Sequence, residues 1–155
     1  KPQRVDMERG EIAPNPVRFD PVEDPQGRAV FAVWGEREKC GWADIFSIVD
    51  ARVQSTVCPM FFRLGTGRTL QTEMEKVGFS DVQEVRITSA LPYPDGTAAL
   101  VAAFAGGPVA LAYDRFDAST RESAHREYLQ SIAAYRSEQG YRIPGEFVVC
   151  SGQVS

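Results

Sequence analysis

The first strong apolar pattern in the chain lies over residues 28–34. An unbroken apolar run from Ala29 to Val33 follows Gly27 and leads into Trp34. A strand that is apolar on both faces normally lies inside a parallel sheet, with a neighbouring strand on each side. The pattern therefore predicts a buried strand over 28–34.

Two later segments also predict strands. Residues 81–93 alternate apolar and polar side chains through Val82, Val85 and Ile87, which is typical of a strand with one buried face. The last segment, "EFVVCSGQVS" (146–155), is apolar from Phe147 to Cys150 and predicts a terminal strand.

Helical periodicity separates these strands. Apolar residues recur at spacings of three and four, the signature of an amphipathic helix, in three segments: Trp42, Ile45, Phe46, Val49 and Val53; Leu70, Met74 and Val77; and Ala124, Tyr128, Ile132 and Tyr135. The alanine-rich segment 95–116 predicts a helix that ends at Gly106 and Gly107, with a second short helix after Pro108.

Capping residues mark the ends of two of these helices. Thr69 is predicted to be an N-cap and Gly78 the stop of the same helix. Ser119 and Glu122 fit a capping box at the start of the last helix, which Gly140 closes.

The residues before the first strand have a different composition. Five prolines within residues 1–26 disfavour a helix and predict an extended N-terminal arm, in which "PVRF" (16–19) is the one plausible short strand. We therefore divide the chain into this arm and a domain over 27–155. The order of arm, strand, helices, strand, helices and strand predicts an α/β fold.

Charge and composition narrow the function. The 155 residues carry a formal net charge of -4, which argues against a general nucleic-acid binder. No apolar run approaches the roughly 20 residues that span a bilayer, so we expect a cytoplasmic protein. Cys40, Cys58 and Cys150 are far apart and a single histidine accompanies them, which predicts reduced thiols and no metal site.

Three segments resemble a known family. "GRAVFAVWGEREKCGWADIF", "FFRLGTGRTLQTEMEKVGFSDV" and "AAYRSEQGYRIPGEFVVCSG" resemble, in order and spacing, the C-terminal half of class I S-adenosylmethionine-dependent methyltransferases, in the branch that acts on small molecules and quinone-like compounds. The resemblance covers about residues 25–152. It implies a partial Rossmann-like sheet with flanking helices, in which 28–34 resembles the fifth strand, 82–90 the sixth and 146–151 the seventh, antiparallel strand.

The family's cofactor-binding half has no counterpart in this sequence. The resemblance would place S-adenosylmethionine on a glycine-rich turn after the first strand, but no Gly-x-Gly-x-Gly element follows a strand here. No cofactor-binding or catalytic residue is therefore carried over. We expect the substrate-side portion of a methyltransferase that is not catalytic and binds no cofactor as an isolated chain, or, alternatively, a non-enzymatic ligand-binding or protein-interaction module derived from that fold.

Candidate ligand-binding residues cluster around the first strand. Trp34, Gly35 and Glu36 follow its carboxyl end, where open α/β sheets bind ligands, although a packed tryptophan and a solvated glutamate explain them equally well. Trp42, Phe61 and Phe62 are candidate walls for a small apolar or aromatic ligand, and ordinary core packing is the alternative, above all for Trp42 on its helix stripe.

Two weaker candidates complete the set. The loop "GTGRT" (65–69) opens a helix and its amides are candidates for anion binding, against the simpler interpretation of a flexible loop with an N-cap. His125 lies off the apolar stripe of its helix, and a surface histidine explains it better than a general base.

The missing neighbour of the 28–34 strand leaves its edge bare, which invites another strand. The arm could lay "PVRF" or "GEIAP" along this edge, a second copy could pair with it, or a separate chain could supply the missing half. Of these we expect a homodimer through the sheet edge.

Overall fold

The computed structural model describes residues 27–53 and 60–154. Their centre is an open antiparallel sheet of four strands: β1 (Arg28–Trp34), β2 (Phe79–Tyr93), β3 (Arg136–Ser137) and β4 (Gly140–Val154). The long β4 lies between β1 and β2, and β3 forms a hairpin with its first residues. The mixture of helices and sheet that the sequence predicts is confirmed, as are the three predicted strands.

The predicted surroundings of β1 are wrong for the described residues. β1 pairs with β4 in an antiparallel register, from Arg28 opposite Gln153 to Trp34 opposite Phe147, and forms an end of the described sheet. Val30 is 63% exposed, because no described element covers this part of the strand. An unbroken apolar run is therefore not sufficient to predict a buried parallel strand. The arm, with its predicted "PVRF" strand, lies outside the described residues.

Five helices that lie wholly within the described residues pack around this sheet. They are α1 (Asp44–Asp50), α2 (Thr69–Lys76), α3 (Gly96–Leu100), α4 (Ala110–Tyr113) and α5 (Ala118–Ser131). α3 continues into a π-helical turn over Val101–Ala105, and short 3₁₀ turns lie at Arg37–Lys39 and Ala133–Tyr135. Each predicted helical segment among the described residues contains one of these helices, but the last helix ends at Ser131, and the predicted stop at Gly140 is wrong because Gly140 begins β4.

Some predicted helix ends are wrong in detail. The N-cap of α5 is Asp117, whose carboxylate accepts the backbone N–H of Thr120 at 2.7 Å, so the helix starts before the predicted capping box. Thr69 does not cap α2, since its hydroxyl donates to the carbonyl of Thr66. The predicted stop at Gly78 is confirmed, with φ +97°, a conformation that glycine adopts without strain.

β4 contributes to a different hydrophobic cluster on each face of the sheet. Near its start, Tyr141 and Ile143 pack with residues of α1 and α5, whereas Val148 and Cys150 pack against Leu70 and other residues of the α2 side. Because alternate residues of a strand point to opposite faces, the odd-numbered positions serve the first cluster and the even-numbered ones the second.

In its middle part, β2 buries the face opposite to the one that its apolar pattern suggests. Val85 and Ile87 are exposed, at 58% and 47%, whereas Glu84 and Arg86 are partly buried. Val82 and Val85 are three residues apart and would lie on opposite faces even of a regular strand, and the register also shifts between Ser80 and Gln83. The alternation of apolar and polar residues in the sequence could not show this shift in strand pairing.

Candidate functional site

A cavity of about 280 Å³ lies beside the carboxyl end of β1. It is bounded by β1, α1, the end of β2, α5 and the turns around α3. Its walls are mostly aromatic and small residues: Trp34, Trp42, Ile45, Phe61, Leu91, Tyr93, Ala102, Ala103, Gly106, Gly107, Pro108 and Tyr128. A concave apolar site of this size is typical of a small-molecule pocket.

The structure brings together three of the six sequence-predicted ligand-binding residues. Trp34, Trp42 and Phe61 line the cavity. Phe62 is buried instead, 5.5 Å from the ring of Phe46 between centroids, and belongs to the core. Gly35 and Glu36 lie outside the lining and belong to a charged cluster described below.

Ring contacts fix the aromatic wall. The ring centroids of Trp34 and Trp42 are 4.7 Å apart in an edge-to-face arrangement, and Phe61 meets Trp42 edge-on at 5.7 Å. On its other side Trp34 stacks on Phe147 at 4.4 Å. A Cβ at Gly145 would approach the Trp34 ring to 3.0 Å, so this glycine leaves room for the indole. Edge-to-face and offset rings are favourable geometries, and they give the cavity a preformed aromatic wall of mutually tilted rings.

Polar groups at the cavity are few and neutral. The indole N–H of Trp42 is buried without a hydrogen-bond partner among the described residues. Burial raises the pKa of the Tyr93 hydroxyl and, more strongly, that of Tyr128, so both phenols stay protonated at neutral pH. No charged side chain is among the described residues that line the cavity.

Small residues form the wall opposite the aromatic rings. Ala102 and Ala103 belong to the π-helical turn and Gly107 follows it. A Cβ at Gly107 would come within 2.6 Å of the Ala103 carbonyl oxygen, so the chain can close this turn only with glycine. Single π-helical turns recur at functional sites, and here the turn supplies a wall without long side chains.

A cluster of charged residues, the Glu146 cluster, lies at the end of β1 on the α2 side of the sheet. Its centre is the carboxylate of Glu146, which is only 3% exposed and accepts hydrogen bonds from the Glu36 backbone N–H at 3.1 Å, Lys39 Nζ at 2.9 Å and Arg86 at 2.9 Å. Burial alone would raise the pKa of Glu146, but these donors and positive charges outweigh it and hold the pKa below its ordinary value.

The Glu146 cluster also binds the glycine loop that precedes α2. Arg86 donates to the carbonyl oxygens of Gly65 and Gly67, and the Gly67 N–H points to Oε1 of Glu36 at 3.4 Å. The chain's own carboxylate thus occupies the position that an anion would take at this loop. This arrangement favours the simple loop over the anion-binding interpretation of "GTGRT".

Sequence analysis missed Arg86 and Glu146. Both lie within strands, where a charged residue at an inward position is the usual signal for a buried ion pair. That signal was hidden because the apolar residues of β2 suggested the opposite inward face.

His125 and the cysteines are structural in the described residues. His125 is half-buried rather than at the surface, and its Nε2 lies 2.8 Å from the hydroxyl of Tyr113. Burial, and then the charge of Arg121, lower its pKa. Cys40 and Cys150 are free and buried, and burial raises the pKa of the Cys150 thiol to about 11; Cys58 lies outside the described residues.

Within residues 27–53 and 60–154, no group of three or more histidine, cysteine, aspartate or glutamate side chains is arranged to hold a metal ion. None of the described helices combines the length and the apolar character needed to cross a bilayer.

No protein-family model matches the chain, and no curated protein matches it either.

Proposed function

We propose that this chain is the substrate-side portion of an S-adenosylmethionine-dependent small-molecule methyltransferase fold, which binds a flat apolar ligand and is not catalytic by itself. The arrangement of the sheet supports this proposal. β4 runs antiparallel to both of its neighbours, β1 and β2, as the resemblance leads us to expect of the seventh strand.

The aromatic cavity is the observation that carries the proposal. It lies where β1 ends at Trp34, and its aromatic wall consists of the rings of Trp34 and Trp42 with Phe61 against them. A planar ring that enters the cavity would exchange water for aromatic contacts, at a gain of about 25 cal/mol per Å² of apolar surface buried. In a complete methyltransferase such a site would hold the acceptor in position and exclude water, which is the main requirement of methyl transfer.

A non-enzymatic ligand-binding module is the alternative. The absence of a Gly-x-Gly-x-Gly turn from the sequence favours it, as does the glycine loop before α2, which is already bound by Arg86 and Glu36. Both functions use the same cavity, so they differ only in whether a methyl donor is bound. A homodimer and a cytoplasmic location remain predictions.

Calorimetric titration tests the ligand binding that both functions share, and whether the chain by itself binds a methyl donor. We would titrate the purified chain with S-adenosylmethionine, with its demethylated product, and with 1,4-naphthoquinone as a flat aromatic probe, and record the tryptophan fluorescence of the same samples. We expect saturable binding of the quinone with quenching of the cavity tryptophans, and no heat from the cofactor. Saturable cofactor binding at one site per chain would show that the chain is not limited to the substrate side.

A matched pair of variants locates the probe. Phe61→Ala removes part of the aromatic wall and should weaken quinone binding by about tenfold, since aromatic contacts contribute on the order of 1 kcal/mol beyond burial. Leu111→Ala changes a residue that is 82% exposed and outside the cavity lining, and should bind as the parent chain does. Equal affinity in both variants would contradict the cavity assignment.

A further inference from the structure

The free edge of β1 has a defined hydrogen-bonding pattern. The Val154 N–H donates to the Gly27 carbonyl at 2.8 Å, and the Gly35 N–H donates to the Glu146 carbonyl at 2.7 Å. In an antiparallel pair, alternate residues of a strand bond to the same neighbour. The odd-numbered residues of β1 therefore bond to β4, and the even-numbered ones direct their N–H and C=O groups to the opposite edge.

That opposite edge is open and apolar. Among the described residues β1 is an end strand of the sheet, and its even-numbered Val30 and Ala32 are both exposed. Unpaired backbone groups beside apolar side chains readily accept another strand.

The sequence just before β1 predicts a tight turn. Asp24, Pro25, Gln26 and Gly27 place aspartate first, proline second and glycine fourth, the preferred residues of a type I turn. A type I turn followed by a glycine makes a common three-residue hairpin loop. We propose that residues 18–24 form a strand that pairs antiparallel with the free edge of β1, through a hairpin whose loop is 25–27.

The loop length sets one register, in which Asp24 lies opposite Arg28 and Val22 opposite Val30. In this register Asp24 and Arg28 form a pair of opposite charges, and Val22 and Val30 form an apolar pair at the next hydrogen-bonded position. Both kinds of cross-strand pair are favourable. The register also places Pro21 opposite Phe31. Because Phe31 is odd-numbered and bonds to β4, the residue opposite it makes no hydrogen bond to β1, and the missing N–H of Pro21 is not needed there. Proline is tolerated in an edge strand only at such a position.

A shift by one residue removes this agreement. Pro21 would then lie opposite Val30, where the ladder requires a donor that proline lacks. Pro21 thus excludes shifts by an odd number of residues, and the loop length selects one register among the rest.

The tether favours this segment over a second copy of the chain. A strand joined to β1 by three residues meets the edge at an effective concentration of the order of millimolar, which exceeds the usual micromolar concentration of a second copy. This inference does not depend on whether the chain binds a cofactor or a quinone.

Amide hydrogen exchange in the full chain tests the pairing. We would measure it by NMR at a concentration where light scattering gives the mass of a monomer. The amides of Val30 and Ala32 should be protected as well as those of Phe31 and Val33, which bond to β4 and serve as internal controls. Rapid exchange of Val30 and Ala32 in the monomer would overturn the proposal, and protection that appears only as a dimer forms would assign the edge to a second copy.

Two proline variants test the register. Val22→Pro removes an N–H that donates to β1 and should speed exchange at Val30 by about tenfold, whereas Glu23→Pro removes an N–H that faces away and should leave it unchanged. The reverse result would contradict the register.

Cross-linking gives a second readout that needs no destabilising change. In a Cys58→Ser background, where the remaining Cys40 and Cys150 are buried, Val22→Cys with Val30→Cys should form an intrachain disulfide. Val22→Cys with Phe31→Cys, whose side chains would point to opposite faces, should not. An interchain disulfide in the first pair, or equal cross-linking in both, would count against the hairpin.

Discussion

At the scale of single residues, one buried carboxylate organises the end of β1. Glu146 accepts from Lys39, Arg86 and the backbone of Glu36, and Gly35 leaves the space that its side chain fills. A buried charge is tolerated only when it is paired and hydrogen-bonded in this way. The stability of this region should therefore depend on the ionised form of Glu146.

The pH dependence of stability should reveal this carboxylate. Because its pKa is lowered in the folded chain, its contribution is complete above the unfolded pKa of about 4.3 and is lost as the pH falls through the folded pKa. We expect Glu146→Gln to lower the free energy of unfolding by about 1–2 kcal/mol at pH 7, and the difference from the parent chain to shrink below about pH 4.

Urea denaturation at several pH values checks this. Glu122→Gln is the control, since its side chain is 78% exposed and should give little difference at any pH. A difference for Glu146→Gln that stays constant down to pH 3 would show that the charge does not matter.

Substitution of Gly35 should also lower the free energy of unfolding, because a side chain at this position would collide with Glu146. A Cβ at this position would lie 2.2 Å from Oε2 of Glu146, so Gly35→Ala must displace the carboxylate from its donors. We expect a loss of about 2–3 kcal/mol in the free energy of unfolding. Gly106→Ala, whose Cβ would meet nothing closer than 3.4 Å, is the matched control; equal melting temperatures for the two variants would contradict this reason.

At the scale of elements, the two faces in the middle of β2 exchange the roles that their side chains suggest. Arg86 points to the side of α2 and joins Glu146 and the glycine loop, whereas Val85 and Ile87 lie exposed on the other face. The inward-pointing polar residues are stabilised by their hydrogen bonds, which connect β2 with β4 and with the loop before α2. Hydrophobicity alone would therefore predict, wrongly, that Val85 and Ile87 contribute more to the stability of the fold than Arg86.

The stability of paired variants in β2 should follow the structure and not the hydrophobic pattern. Arg86→Ala leaves the buried Glu146 without one of its cations and should lower the free energy of unfolding by about 2 kcal/mol. Val85→Thr keeps a β-branched residue at an exposed position and should cost under about 0.5 kcal/mol. Chemical denaturation of both variants decides this, and a larger loss for Val85→Thr would mean that the exposed face is covered.

At the scale of the whole molecule, the cavity lies within the larger of the two hydrophobic clusters that pack on the sheet. The larger cluster, on the side of α1 and α5, leaves space between the aromatic wall and the π-helical turn. Since the residues of that turn are small, the cavity is set by backbone shape as much as by side chains. It should therefore be possible to fill it without unfolding the chain.

A cavity-filling pair tests this at the same turn. Ala103→Leu places three more carbons in the cavity and should weaken naphthoquinone binding by about tenfold or more, with a change of stability within about 1 kcal/mol. Ala105→Leu alters an exposed residue that does not line the cavity and should leave the affinity unchanged. Fluorescence titration measures both, and undiminished binding by Ala103→Leu would place the ligand elsewhere.

Sequence reasoning reached the elements more securely than their surroundings. It located β1, the helix stripe through Ile45 and Val49, and the stop at Gly78, because spacing and glycine conformation are local properties. Among the ligand-binding candidates it found Trp34, Trp42 and Phe61, since aromatic residues at a strand end and in a broken loop are visible without a fold. It could not exclude Phe62 from the ligand-binding candidates, because the sequence does not show that the side chains of Phe61 and Phe62 point in different directions.

The sequence by itself determined where strands and helices form, since periodicity and capping depend on residues close together in the chain. Only the tertiary structure decided which face of each strand is buried and which charges meet. Alternation distinguishes the two faces of a strand but not which face meets a helix. A one-residue register shift in β2 and a contact between Arg86 and Glu146, 60 residues apart in sequence, lie beyond local patterns because they arise only when the strands pair.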